Sequence, residues 1–230
     1  MSASKDKCDL QRCYFCKLCL KDWMLAVSAH RKNFSFKKGE LLLREGEEVK
    51  GIYFVYKGLV KVHKKWSRDK EFILRFAANG AIVGHRGLGD TYYPISATAL
   101  EPTIVCFLDL DFFKTSLTVN HDFTINLLFF FAGELNESEK RMRNLAHMSV
   151  KGRIAYALLL LKKKFGLKPD GHLDITISRQ DLASYVGATY ETVFRNLGEL
   201  AGENIISVSG KNILILKEEA LVSLSNTADD

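Results

Sequence analysis

The sequence predicts an α+β chain in three successive parts: a small antiparallel β-roll or barrel, one long helix, and a C-terminal winged helix-turn-helix. Three observations lead there. Between Phe34 and Asp109, β-branched and aromatic runs are punctuated by Gly39, Gly46, Gly51, Gly58, Gly80, Gly84, Gly87 and Gly89, the pattern of short strands joined by tight turns. Beyond Leu110 the apolar residues switch to helical spacing. Near the C-terminus two short helical segments flank a glycine and lead into a strand-turn-strand pattern.

The composition is compatible with such a chain and excludes several others. With 230 residues, 47% hydrophobic, 26% charged, three Pro and no low-complexity tract, the chain can bury a core and is neither disordered nor fibrous. The longest apolar runs, near Leu127–Ala132 and Ala155–Leu161, are far shorter than a bilayer span, so no membrane association is expected. The polar, cysteine-bearing start is unlike a secretory signal, and a cytoplasmic location follows as the expectation. Net charge is +6, made up of +4 in residues 1–50, +2 in 51–150 and zero in 151–230. Within Lys151–Lys217 ten Lys/Arg face six acids, a balance that permits nucleic-acid binding without requiring it.

Taken in order, Gly51–Gly58, Leu59–His63, Glu71–Ala78 and Ile95–Leu108 read as strands of the roll. Phe123, Leu127, Phe130, Phe131 and Leu135 then form a helical stripe, resumed by Met142 and Leu145, which predicts one helix over roughly 122–147. That stripe can pack on the roll or pair with its twin across a two-fold axis. Ile154–Phe165 is a further helix, ended by Gly166 and Pro169, and Leu173–Ile177 alternates as a strand does. Ser178 caps a helix over Arg179–Val186, Gly187 ends it, and Thr189 caps the next, which runs from Tyr190 to about Ala201. Ile205–Val208 and Ile213–Leu216, turning at Gly210–Asn212, supply a wing. The expected domains are therefore a cysteine-rich segment (1–33), a roll (34–118), a connecting helix (119–148) and a DNA-binding domain (149–230).

A helix-turn-helix presents the first residues of its second helix to base edges in the major groove. Here these are Tyr190, Glu191, Phe194 and Arg195, with Arg179 and Thr189 flanking them. A carboxylate accepts from cytosine N4, and a guanidinium donates twice to guanine O6 and N7, so Glu191 and Arg195 form a candidate reading pair. An ordinary surface pair between them is the plainer alternative. The cysteines are the other distinctive feature. Four of five fall within twelve residues (Cys8, Cys13, Cys16, Cys19), and the fifth, Cys106, lies on the last strand of the roll. Cys13-x2-Cys16-x2-Cys19 matches the first three thiolates of a ferredoxin-type run, for which Cys106 could supply the fourth and Cys8 a substitute. A 4Fe-4S cluster, a structural zinc, and metal-free or redox-active thiols are the three readings. No phosphate loop, nucleophile elbow or paired-carboxylate motif is present, so no catalytic residue is assigned.

The stretch Ser178–Leu197, with its Glu191-Thr-Val-x-Arg195 core, resembles the helix-turn-helix of the CRP/FNR regulators. The resemblance extends over roughly Phe34–Leu216, through Lys38-Gly-Glu40, Arg44-Glu-Gly46, Ile52-Tyr-Phe-Val55 and Lys57-Gly58. It implies a jelly-roll effector domain, a dimerisation helix, and a homodimer that binds a pseudo-palindromic duplex through Glu191 and Arg195, with RNA polymerase as a further partner. Phe194 stands where relatives carry a small residue. Cyclic-nucleotide binding members show Gly-Glu-Leu and then Arg-Ser in the phosphate cassette; here the counterparts are Gly84-His85-Arg86 and Ile95-Ser96. Ile95 offers no cation, so cAMP is not expected, while His85, Arg86 and Ser96 remain the candidate effector pocket. The N-terminal cysteines with Cys106 resemble the oxygen-sensing branch. The expected function is thus a DNA-binding regulator responding to oxygen or redox state; a small-molecule sensor of the same family and an electron carrier or metalloenzyme are the alternatives.

Overall fold

A computed structural model of the chain describes residues 10–67 and 70–226, which fall into two units, residues 1–135 and 136–230. In the first unit the glycine-punctuated runs become β1 (Lys32–Phe36), β2 (Leu41–Leu43), β3 (Gly51–Lys57), β4 (Val60–Lys65), β5 (Glu71–Ala77), β6 (Ile82–Val83), β7 (Ser96–Ala99) and β8 (Thr103–Asp109). They pair antiparallel in two four-stranded sheets, ordered β1-β8-β3-β6 and β2-β7-β4-β5. Val60, Val62, Ala77, Ile95, Ala97 and Ala99 meet Tyr53, Val55, Val83, Val105 and Phe107 in the inner core.

The β1-β8-β3-β6 sheet is covered on its other face too. Because side chains alternate along a strand, Ile52, Phe54, Ile82, Cys106 and Leu108 point away from the inner core into a second apolar layer. That layer is completed by Cys13, Phe15 and Cys16, by Val27 of α1 (Met24–His30), by Phe112 and Phe113 of α2 (Leu110–Val119), and by Phe123 and Leu127 of α3 (His121–His147). Burial on both faces explains why β3 reads Gly-Ile-Tyr-Phe-Val, with all five buried, instead of alternating apolar and polar. Asp109 caps α2 by accepting the Phe112 N–H at 2.9 Å, and Asn120 Oδ1 accepts the Phe123 N–H at 2.9 Å at the start of α3.

In the second unit the last turns of α3 are followed by α4 (Val150–Phe165), α5 (Arg179–Val186), α6 (Tyr190–Gly202), the hairpin β9 (Ile206–Ser209) and β10 (Asn212–Ile215), and α7 (Glu218–Asn226). Ile154, Ala155, Ala157, Leu158 and Leu161 are the buried face of α4. A Cβ on Gly152 would lie 2.9 Å from the Leu224 carbonyl and 2.7 Å from Met148 Cγ, so glycine lets α7 approach α4 closely. Among the described residues no helix is long and apolar enough to cross a membrane.

The structure corrects several expectations. Leu173–Ile177 is not a strand: Leu173, Ile175 and Ile177 are buried and Asp174 and Thr176 exposed, but the only ladder contacts are the isolated bridges Leu167–Leu173 and His172–Leu214. Alternating burial arises in any extended segment lying on a core. The wing strands are offset by one residue at each end from the expected ranges. Three helices, α1, α2 and α7, were not anticipated. Glu218 and Glu219 form the first turn of α7, where they complement the helix dipole. The stripe on α3 also divides. Phe123 and Leu127 are buried against the sheet with Phe130 and Phe131 beside them, whereas Leu135, Met142 and Leu145 belong to a second, exposed row with Ile125, Leu128 and Phe129.

The backbone of the cysteine segment lies directly on a turn of the roll: Tyr14 donates its N–H to the Gly80 carbonyl at 2.8 Å. Gly80 has φ 87°, and a Cβ there would stand 2.1 Å from the Arg12 carbonyl oxygen. Gly80→Ala is therefore expected to destabilise the fold by about 1–3 kcal/mol and lift the segment off the sheet. Urea unfolding together with the labelling rates of Cys13 and Cys16 by a thiol reagent checks this; unchanged rates would mean the segment tolerates the side chain.

Candidate functional site

The reading head is built by caps and one left-handed residue. Ser178 Oγ accepts the Asp181 N–H at 2.9 Å to start α5, and Gly187, at φ 67° and ψ 48°, ends it. The Ala188 N–H then reaches back to the Ala183 carbonyl at 3.1 Å, and Thr189 Oγ1 accepts the Thr192 N–H at 3.3 Å to start α6. Val193, Asn196, Leu197 and Leu200 are buried on one side of α6, which leaves Tyr190, Glu191, Phe194 and Arg195 exposed on the other.

Arg195 does not make the ordinary surface pair with Glu191, the plainer alternative. Arg195 Nε lies 3.9 Å from Glu199, one turn farther along, in an exposed pair that contributes little. Glu191 is exposed, and the side chain of Arg195 is 71% exposed, so both can turn to a partner. Phe194 lies between two neighbours: its ring stacks on Tyr190 at 6.2 Å and 18°, and the Arg179 guanidinium sits 5.7 Å from its centroid. Thus Arg179, Tyr190 and Phe194 form one aromatic-cationic strip beside Arg195. Lys151 holds the far end of α6, 2.6 Å from Glu203 and 3.9 Å from Glu199.

Three residues absent from the sequence reading orient the reading head. Arg153 donates from Nε to the Val186 carbonyl at 2.9 Å, from Nη2 to Gly187 at 3.3 Å, and from Nη1 to Met148 at 3.0 Å and Leu145 at 3.4 Å. One guanidinium therefore joins the end of α3 to the turn between α5 and α6. Arg141 donates to the Tyr185 carbonyl at 2.6 Å and lies 4.4 Å from the centre of its ring, and the Tyr156 hydroxyl donates to Glu137 at 2.9 Å. Nothing in their spacing distinguishes these residues: the carbonyls that Arg153 and Arg141 engage leave no mark on a sequence, and Tyr156 and Glu137 lie 19 residues apart on different helices. Arg153→Leu is expected to lower DNA affinity similarly on specific and random duplexes and to lower the melting temperature, since several charge-assisted bonds of about 1.5–3 kcal/mol each are at stake. A changed base preference in a binding-site selection would instead make Arg153 a reading residue.

The predicted thiols lie in the first unit. Cys13 and Cys16 are buried with Cys106 in the outer apolar layer, and Cys19 is half-buried beside it. Cys106 pairs in register with Phe54 on one side and Asn33 on the other. Burial and the neighbouring Cys13 push the Cys19 thiol up, and Cys19 Sγ donates to the Leu20 carbonyl at 3.5 Å. Among the described residues no three His, Cys, Asp or Glu converge at metal-ligand spacing, so the thiols share a layer without forming a finished cage. Cys8 lies outside the described residues. The segment that carries them is tied to α3: Tyr14 donates its hydroxyl to the Asn126 carbonyl at 3.0 Å, and Asn120 Nδ2 donates to the Leu18 carbonyl at 2.7 Å.

Of the three candidate effector residues, the structure joins His85 and Arg86, which both meet Glu134 of α3, His85 at 3.2 Å and Arg86 at 3.1 Å. Ser96 is employed elsewhere, its Oγ accepting the Glu45 N–H at 3.0 Å, and Ile95 is buried in the inner core. His63, the other histidine of the roll, meets Thr98 Oγ1 through Nε2 at 2.9 Å and lies with Nδ1 3.0 Å from Glu71.

Residues 33–119 match the family model of the cyclic nucleotide-binding domain, and residues 152–224 that of the Crp-like helix-turn-helix domain. Over 198 residues the chain is 32% identical to the cAMP-activated global transcriptional regulator CRP of Salmonella typhimurium, a match spanning 84% of this chain and 92% of that protein. Over 192 residues it is 29% identical to the fumarate and nitrate reduction regulatory protein of Yersinia pestis, spanning 82% and 76% respectively. Among solved structures, FixK2 from Bradyrhizobium japonicum superposes with a TM-score of 0.78 at 26% identity, over 86% of this chain and 99% of FixK2. A CooA mutant from Carboxydothermus hydrogenoformans, at 22% identity, shares the fold with a TM-score of 0.75 over 87% of this chain and 90% of that one. Sequence identity of this extent, sustained through the roll and the reading head alike, shows that the chain belongs to the CRP/FNR family and is a DNA-binding transcription regulator.

Proposed function

We propose that this regulator works as a homodimer on a pseudo-palindromic operator and that its DNA binding follows oxygen or redox state through a 4Fe-4S cluster. The observation that carries the redox reading is the common layer of Cys13, Cys16 and Cys106, with Cys19 at its border, against the first turns of α3. Four sulfur donors in apolar surroundings suit an iron-sulfur cluster by donor chemistry. Cys13, Cys16, Cys19 and Cys106 would hold it, with Cys8 as a possible substitute. Such a cluster, when bound, supplies a ligation that oxygen breaks. Because the Leu18 carbonyl and the Tyr14 hydroxyl are hydrogen-bonded to Asn120 and to Asn126, a change in the cysteine segment reaches α3 directly.

The exposed row of α3 supports the dimer. Leu128, Leu135 and Met142 follow at seven-residue intervals and are 65%, 61% and 66% exposed, the seam by which two helices pair. Two copies related by a two-fold axis would set their α6 helices roughly 34 Å apart, in successive major grooves. Glu191 and Arg195 then read bases, and the Phe194 ring is suited to a thymine methyl. The roll, with Ile95 where a phosphate would need a cation, is read as not taking cAMP. The sharing of one layer by Cys13, Cys16 and Cys106, with Cys19 at its border, also favours one second reading, a thiol-disulfide sensor without metal.

Two experiments test these statements. Arg195→Ala should cost about 1–3 kcal/mol on the preferred operator and relax selection at one base pair, measured by titration against selected and random duplexes. Equal losses on both would reduce Arg195 to a phosphate contact. For the cluster, anaerobically reconstituted Cys106→Ser should lose iron, sulfide and the charge-transfer absorbance, and its DNA affinity should no longer respond to air. Unchanged iron, sulfide and air response would show that Cys106 is only a buried apolar residue; stoichiometric zinc in both proteins would point to a local knuckle.

A further inference from the structure

One cluster of charge in the first unit is assigned no part in DNA reading or thiol chemistry. Glu134 of α3 is surrounded by Arg75 of β5, whose Nε is 3.2 Å from Oε1, and by Arg86 Nη2 at 3.1 Å and His85 Nε2 at 3.2 Å from Oε2. His85 and Arg86 sit on a 3-10 turn (His85–Gly87) that Gly84 starts in the left-handed region at φ 89°. Arg75 is buried and also donates to the Ile82 carbonyl. Phe130 and Phe131, each 5.2 Å from the His85 ring and nearly perpendicular to it, flank the group from α3.

The charges in this pocket do not cancel. Burial pushes the His85 imidazole down to about 4, so it is neutral at ordinary pH. Burial alone would raise Glu134, but the His85 hydrogen bond and the two guanidinium charges outweigh it and hold the carboxyl well below the usual range. Two guanidinium groups and one carboxylate leave one positive charge in excess. The ionised Glu134 requires the His85 hydrogen on Nε2, and His85 Nδ1 is then a buried acceptor with no partner among the described residues. Without Glu134, the buried Arg75 would stand uncompensated beside the half-buried Arg86, which is far costlier than either charge paired.

We infer that Arg75, His85 and Arg86 form a carboxylate-binding site whose resident ligand is the chain's own Glu134. A small free carboxylate takes its place when that side chain is removed. α3 thus carries its own anionic key to the roll, and its hold there needs no effector. This is independent of iron and of operator binding, so neither enters the test.

The test uses the full chain and follows amide hydrogen exchange over residues 121–135, with Glu134→Ala, Glu134→Gln and the parent protein in matched sodium chloride and sodium formate. In chloride, Glu134→Ala is expected to exchange roughly 100-fold faster in this stretch than the parent. Formate, but not chloride of equal ionic strength, should restore most of that protection. Glu134→Gln, which fills the space with a neutral amide, should exchange faster than the parent and gain nothing from formate. If Glu134→Ala does not fold in chloride, refolding in formate against chloride gives the same discrimination. Retained protection in Glu134→Ala, equal effects of the two salts, or a failure to recover in formate would each overturn the inference.

Discussion

The double-sided burial of the β1-β8-β3-β6 sheet is the constraint on which the first unit depends. A strand offers its two faces alternately, and here both are apolar: Val105 and Phe107 of β8 look inward while Cys106 and Leu108 look outward. A sheet of this kind needs a cover on its outer face. The chain supplies it from both ends of the unit, with the segment from Cys13 to Val27 and the helices α2 and α3. Full burial of an aromatic such as Phe123 or Phe54 is worth several kcal/mol against truncation, so the cover is held by packing more than by any single hydrogen bond. The thiols and the contacts that place α3 thereby occupy one layer.

How much of this was legible in the residues depends on what kind of contact makes each part. The roll showed itself through glycines, and the positive φ of Gly39, Gly46, Gly58, Gly80, Gly84 and Gly89 is the physical reason that signal works. The reading head showed itself through caps: Ser178, Gly187 and Thr189 each do in the structure what their residue type suggests. The extended segment at Leu173–Ile177 misled because alternation records burial, and burial does not require a neighbouring strand. The short helices α1, α2 and α7 were missed because their apolar residues are few and tertiary packing completes their faces.

The candidate sites divide in the same way. Positions chosen by type, such as Arg195, Phe194 and Cys106, could be named from the sequence; their partners could not. That Arg195 turns to Glu199, that Arg153 gathers carbonyls from two elements, and that His85 meets Glu134 49 residues later are all consequences of the tertiary fold. The stripe on α3 is the instructive case. A period near 3.6 identifies a helix, but it does not separate one wide apolar face from two narrow ones, and only the packing distinguishes Leu127 from Leu128.

The recognition helix carries Glu191 and Glu199 against the single cation Arg195, a local charge of −1, and Lys151 tethers its acidic end at Glu199 and the capping Glu203. Most of the affinity of proteins for arbitrary duplex DNA comes from cations that displace condensed counterions. A helix with so little positive charge contributes little of that sequence-independent hold. What the helix itself adds is set by its fit in the groove, so its geometry matters to that share more than the salt around it.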